Sequence, residues 1–183
     1  MTALNETPFF IVGAPRSGTT LLRFILSSHP RLYVPEETGF IPFLGVKPQA
    51  QLSQRQVREI LTRIGELNRN WYALIEDSNT FYDTLPKKTL PFVLDALYRH
   101  IIAEYGAERW GDKTPTYVRY LPQLAQIFPA AQFIHIIRDG RDTTLSAQKK
   151  WGATRWNMDP YYLLRTWGLN VESARDAGHD LGQ

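Results

Sequence analysis

The sequence predicts an α/β fold with a largely parallel central sheet flanked by helices in three layers. Two observations carry the prediction. Short apolar runs of strand length alternate along the chain with stretches of helical periodicity, the pattern of repeated βα units. The first such run, Phe9-Phe10-Ile11-Val12, leads directly into Gly13-Ala14-Pro15-Arg16-Ser17-Gly18-Thr19-Thr20 and then a helical stretch. A strand, a glycine loop and a helix in that order form the setting of a phosphate-binding loop, so the expected fold is P-loop-like. At 183 residues the chain suits one domain with its own core, and residues 1–183 are read as a single domain.

The elements follow in order. Residues 9–12 are continuously apolar and end at Gly13, as expected of a strand buried on both faces. Leu21, Leu22, Ile25 and Leu26 give a helix over 19–28, which His29-Pro30 stops. Residues 31–34 form a short second strand before Pro35. From 38 to 90 the pattern is least legible. It holds an amphipathic helix over 54–68, built on Val57, Ile60, Leu61 and Ile64 with Ser53 as its cap. A helix over 91–105 has proline in its first turn and Gly106 after its end. A short strand over 109–112, a helix over 117–128 and a second strong strand over 132–137 come next. Helices over 143–150 and 161–177 complete the chain. The two strongest strands each run into a polar loop, GAPRSGTT and RDGRDTTLS. In parallel sheets ligands bind beyond the carboxyl ends of the strands, so both loops are expected on one edge of the sheet.

Composition narrows the chemistry. There is no cysteine, which removes disulfides, thiolate metal sites and cysteine nucleophiles. The 21 Lys and Arg against 18 Asp and Glu leave a net charge of +3. That is too weak and scattered for a nucleic-acid partner but suits a small anionic ligand. No apolar run reaches the length of a membrane span and residues 1–8 do not read as a signal peptide, so the expected location is cytoplasmic. No His, Asp or Glu cluster has metal-ligand spacing, and no metal is expected.

The opening loop matches G-x-x-x-x-G-K-[ST] except that Thr19 replaces the lysine. Its backbone amides at a helix N-terminus make an anion cradle, Arg16 adds a guanidinium fork, and Ser17, Thr19 and Thr20 add hydroxyls. Without lysine, stabilising a transferring γ-phosphoryl group is difficult. Arg138 leaves a strand and Ser146 lies about two helical turns further on; the pair suits a second phosphate, or Arg138 simply pairs with Asp139 or Asp142. Glu36 and Glu37 are either a solvated turn or the source of a general base. Lys113, in Asp112-Lys113-Thr114-Pro115, offers a compact cation. His29, at a helix stop, and His135, inside a strand, read as structural.

In these stretches the sequence resembles the sulfotransferases that use 3′-phosphoadenosine-5′-phosphosulfate (PAPS), the tyrosylprotein sulfotransferases and related bacterial enzymes among them. Phe10 through Leu22 resembles their 5′-phosphosulfate loop, and Ile137 through Ser146 their 3′-phosphate motif. His29-Pro30, Glu36-Glu37-Thr38 and the lysine at 113 fall in the same order. The resemblance implies PAPS as sulfuryl donor, a hydroxyl-bearing acceptor and no metal. It implies that Pro15, Arg16, Ser17, Gly18, Thr19 and Thr20 hold the 5′ end and Arg138 and Ser146 the 3′-phosphate. It further implies Glu37 as base, with Arg16 and Lys113 stabilising the transferred group and the leaving oxygen. Gly39 stands where the tyrosine-modifying members carry an arginine that holds the acceptor peptide, so sugar, lipid, phenol and peptide hydroxyls all remain open. The family's usual length implies that this chain is the N-terminal, cofactor-binding portion. The alternatives are a nucleotide kinase or NTPase with a degenerate P-loop, and a non-catalytic nucleotide-binding fragment.

Overall fold

The structure is a computed structural model that describes residues 7–67, 77–152 and 159–181. Four parallel strands, β1 (Phe9–Gly13), β2 (Leu32–Tyr33), β3 (Arg109–Lys113) and β4 (Gln132–Ile136), lie in the order β2-β3-β1-β4. The expected parallel sheet is there, with β1 between β3 and β4 and all five of its residues buried. Phe9 pairs with Gly111 on one side and Gln132 on the other, so the carboxyl ends of β1, β3 and β4 reach the same edge.

The helices are α1 (Thr19–Ser27), α2 (Gln54–Leu67), α3 (Ser78–Thr84), α4 (Leu90–Ala103), α5 (Leu121–Ile127), α6 (Gly140–Trp151) and α7 (Pro160–Leu181). Alternate residues of β1 face opposite layers, as the pleat requires. Phe10 and Val12 enter a large core built with α2, α4, α5 and α7, whereas Phe9 and Ile11 pack with Leu22 and Leu26 of α1. Phe10 sits among the rings of Trp110, Tyr117, Phe128 and Phe133, at 5.7–6.4 Å between centroids.

Several element boundaries differ from the sequence reading for identifiable reasons. The single helix expected over 117–128 is a 3₁₀ turn, Pro115–Arg119, followed by α5. Tyr120 between them has φ −124°, ψ 17°, and Pro122 opens the new helix, where its missing N–H costs nothing. α3 was not anticipated: none of its residues is buried, so it has no apolar periodicity, and the Asp77 side chain starts it by accepting from the amides of Asn79 and Thr80. α2 is described to Leu67, and residue 68 of the expected helix lies outside the described ones. Its start is the expected Ser53 cap in reciprocal form: Gln56 N donates to Ser53 Oγ and Ser53 N donates to Gln56 Oε1. α6 begins three residues earlier than expected because Asp139 accepts from the Arg141 amide and makes Gly140 the first helical residue. α7 runs past the expected end to Leu181, and its Trp167 Nε1 donates to the carbonyl of Arg138 at 2.9 Å, fixing the exit of β4.

Candidate active site

Two backbone constraints shape the first loop. A Cβ on Gly13 would lie 2.6 Å from the Ile136 carbonyl oxygen, so only glycine lets β1 and β4 stay this close where both loops begin. Gly18 caps α1 at φ 103°, a conformation that side chains disfavour. Arg16 takes φ 73° although it is not glycine, which costs about 1–3 kcal/mol. The strain buys position: Arg16 Nε donates to Ser146 Oγ on α6 at 3.2 Å. Arg138 reaches back to the Arg16 carbonyl at 3.4 Å. The two loops expected on one edge therefore touch.

Together they enclose a cleft of about 390 Å³ lined by Pro15, Arg16, Gly18, Thr19, Thr20, Glu37, Arg138 and Ser146. Ser17 lies just beneath, buried, and its Oγ has no hydrogen-bond partner among the described residues. A buried hydroxyl without a partner, at a loop whose helix begins with unpaired amides, fits a phosphate-bearing ligand. Arg138 also lies 3.6 Å from Asp142, so the surface pairing weighed in the sequence exists, but both groups are about half exposed and the pair is weak. Asp139 instead engages Arg141, whose guanidinium and backbone amide hold its carboxyl well below the usual range.

Lys113 answers the missing loop lysine. It ends β3, its side chain is 4% exposed, and its Nζ donates to Glu37 Oε1 at 2.5 Å and to Thr20 Oγ1 at 3.4 Å. A cation thus reaches the loop from the neighbouring strand. The Glu37 side chain is 56% exposed and faces the cleft. Glu36, its competitor in the sequence, is exposed and does not line the cleft. His29 accepts from the Arg31 amide at the helix stop, a structural role. His135 is half-buried in β4, and burial lowers its pKa. No group of three or more His, Asp or Glu among the described residues could hold a metal, and no described helix is long and apolar enough to cross a membrane.

Sequence reasoning missed Pro115, Thr116 and Trp151, which also line the cleft. Trp151 ends α6 only five residues after Ser146, so the helix that carries the serine also carries the aromatic wall. More important is a buried network under the Glu37 loop. Tyr117 OH accepts from Ile41 N at 3.0 Å and bonds Thr38 Oγ1 at 2.9 Å. Thr38 Oγ1 donates to Asp112 Oδ2 at 2.6 Å, and Tyr98 OH donates to the same oxygen. Burial pushes the Asp112 carboxyl up, against the hydrogen bonds of Thr38 and Tyr98 and the Lys113 charge. The only sequence signal for this network is the presence of Thr38 and Asp112 beside Glu37 and Lys113.

Residues 8–183 match the family model described as the sulfotransferase family. The chain is 28% identical to protein-tyrosine sulfotransferase of Drosophila melanogaster over 98% of its length, and 34% identical to protein-tyrosine sulfotransferase 1 of Danio rerio over 90%. It spans about a third to two-fifths of those relatives, 33% and 42% of their lengths. Its fold is similar to the sulfotransferase domain of the Synechococcus PCC 7002 olefin synthase, with a TM-score of 0.57 at 24% identity over 96% of this chain and 63% of that one.

Proposed function

The chain belongs to the sulfotransferase family, and from that premise we propose that its cleft binds PAPS and transfers the sulfuryl group to an acceptor hydroxyl. The observation that carries the proposal is the joining of the two loops, Arg16 and Arg138 converging with Ser146 at one cleft beside the Glu37–Lys113 pair. When bound, PAPS supplies a sulfuryl group on a phosphate leaving group. Thr19, Thr20, Gly18 and the buried Ser17 hydroxyl hold the 5′ end at the positive terminus of α1. Arg138 and Ser146 hold the 3′-phosphate, and that nucleotide displaces the weak Arg138–Asp142 contact.

Glu37 takes the proton of the acceptor hydroxyl as general base. Arg16 and Lys113 stabilise charge on the transferred group and on the leaving oxygen, as preorganised cations in a partly closed site. The Glu37–Lys113 bond keeps the carboxylate aimed at the ammonium until an acceptor hydroxyl enters between the loop and the cleft. A kinase reading is disfavoured because Thr19 holds the lysine position and is itself buried. The acceptor is a hydroxyl-bearing molecule; protein tyrosine is one candidate, named by the relatives.

The roles separate by mutation. Glu37→Gln should lower donor turnover roughly 10²–10⁴-fold while the affinity for adenosine 3′,5′-bisphosphate changes less than about threefold, within roughly 0.6 kcal/mol. Arg138→Ala should weaken that nucleotide at least about tenfold, as loss of a charge-assisted contact does. Calorimetry and the rate of bisphosphate release measure the two quantities. Equal losses of affinity from both substitutions would contradict the assignment.

A further inference from the structure

Glu37 and Lys113 come from a loop and a strand 76 residues apart, yet they meet at 2.5 Å. Glu37 is more than half exposed, whereas the residue that follows it is buried and hydrogen-bonded on the opposite face of the sheet. β3 alternates: Lys113 sides with Ile11 towards α1, whereas Asp112 sides with Phe10 towards the large core. The loop alternates in step. Glu37 reaches to Lys113, and the next residue, Thr38, is buried and turns to Asp112.

Four hydrogen bonds lock the two alternations together. Thr38 N donates to Thr114 Oγ1 at 3.1 Å, and Thr38 Oγ1 donates to Asp112 Oδ2. Asp112 and Thr114 are the residues on either side of Lys113. Further along, Ile41 N donates to Tyr117 OH, whose hydroxyl continues the chain to Thr38. The run Ile41 N–H, Tyr117 OH, Thr38 OH, Asp112 carboxyl is a line of donors and acceptors in one direction, ending on a carboxyl oxygen, and Tyr98 OH closes it from the side. In a buried setting such a chain strengthens each of its bonds and tolerates few alternatives.

Resting on the sulfotransferase reading above, we propose that Thr38 is a positioning residue, which registers the Glu37 loop against β3 through Asp112 and so sets the Glu37–Lys113 pair. Thr38 touches neither the cleft nor any reacting atom. It acts only through Glu37 and Lys113, and a methyl group in place of its hydroxyl removes the register while keeping the volume.

The first test needs no turnover. Reductive methylation of Lys113, followed by peptide mass spectrometry with the exposed Lys149 and Lys150 as internal controls, reports whether the pair is intact. Thr38→Val should speed labelling of Lys113 at least tenfold, and Thr38→Ser should leave it within threefold of the wild type. Equal protection of Lys113 in the wild type and in a folded Thr38→Val protein overturns the proposal. Should Thr38→Val not fold, Tyr117→Phe keeps the core ring, loosens the same chain and should raise labelling several-fold; no change there is equally fatal.

The second test asks whether Thr38 acts through the base. Thr38→Val should lower turnover at least tenfold with bisphosphate affinity unchanged, but should cause no further loss in a Glu37→Gln background. A full further loss there would reduce Thr38 to an ordinary packing residue. Absence of any nucleotide binding by the wild type would refute the sulfotransferase reading, while the labelling result would still decide the role of Thr38.

Discussion

Arg16 shows at the level of one residue what the cleft costs. Its backbone sits at φ 73°, where a side chain is disfavoured by about 1–3 kcal/mol. Glycine has no such penalty, so Arg16→Gly should be more stable than Arg16→Ala by about 1 kcal/mol and unfold at a higher denaturant midpoint, a reversal of the usual order. The opposite ranking in urea melts would mean that the loop is relaxed. Asp112 supplies a second test. Its carboxyl is raised by burial, so above the ordinary carboxylate range the unfolded chain releases a proton that the folded chain still holds. Stability from this group is therefore greatest below that range and is lost as pH rises towards the folded value. Asp112→Asn removes the titration and keeps an oxygen for Thr38 and Tyr98. The melting temperature of the variant minus that of the wild type should grow from pH 4 to pH 7. A flat or falling difference would contradict a raised carboxyl.

Among the elements, β1 bears most of the architecture. Gly13→Ala would drive a methyl group into the Ile136 carbonyl and should cost about 1–3 kcal/mol by overpacking, read from the denaturant midpoint. Phe10→Ala, in the centre of four aromatic neighbours, should cost about 3–5 kcal/mol. A loss below 1 kcal/mol in either would mean that β1 is not the pivot of the sheet. β1 was legible because a buried parallel strand is a short, unbroken apolar run, β4 because Phe133, Ile134 and Ile136 make most of such a run although the strand is only partly buried, and α1 because a glycine loop opened it. α3 was not, since none of its residues is buried and its start rests on a local Asp77 cap. The break at Tyr120 was also hidden: Leu121 and Leu124 continue an apolar pattern across a change from 3₁₀ to α geometry that periodicity does not register.

On the scale of the whole molecule, the sheet edge assembles what the chain disperses. Arg16 and Ser146 are 130 residues apart and hydrogen-bonded, and the placement of both loops beyond parallel strands made that meeting predictable. The second half of the site was less legible. Lys113 was visible as a cation in a loop motif, but its ending of β3 beneath Thr20 depends on the register of β3 with β1. The network of Thr38, Asp112, Tyr98 and Tyr117 draws on residues up to 79 positions apart, and its two tyrosines stand in the sequence only as residues of expected helices. Local patterns place glycine loops at strand ends well; they carry little about buried polar chains, whose partners are chosen by packing.

The joined cleft of Arg16, Arg138 and Ser146 is proposed to take a nucleotide phosphorylated at both ends. Calorimetric titration of the chain with adenosine 3′,5′-bisphosphate, 5′-AMP and ATP-Mg tests it most directly. The bisphosphate is expected to bind more tightly than 5′-AMP by at least about tenfold, about 1.4 kcal/mol for the second phosphate, without added metal. Preference for ATP-Mg, or equal binding of 5′-AMP and the bisphosphate, would contradict it.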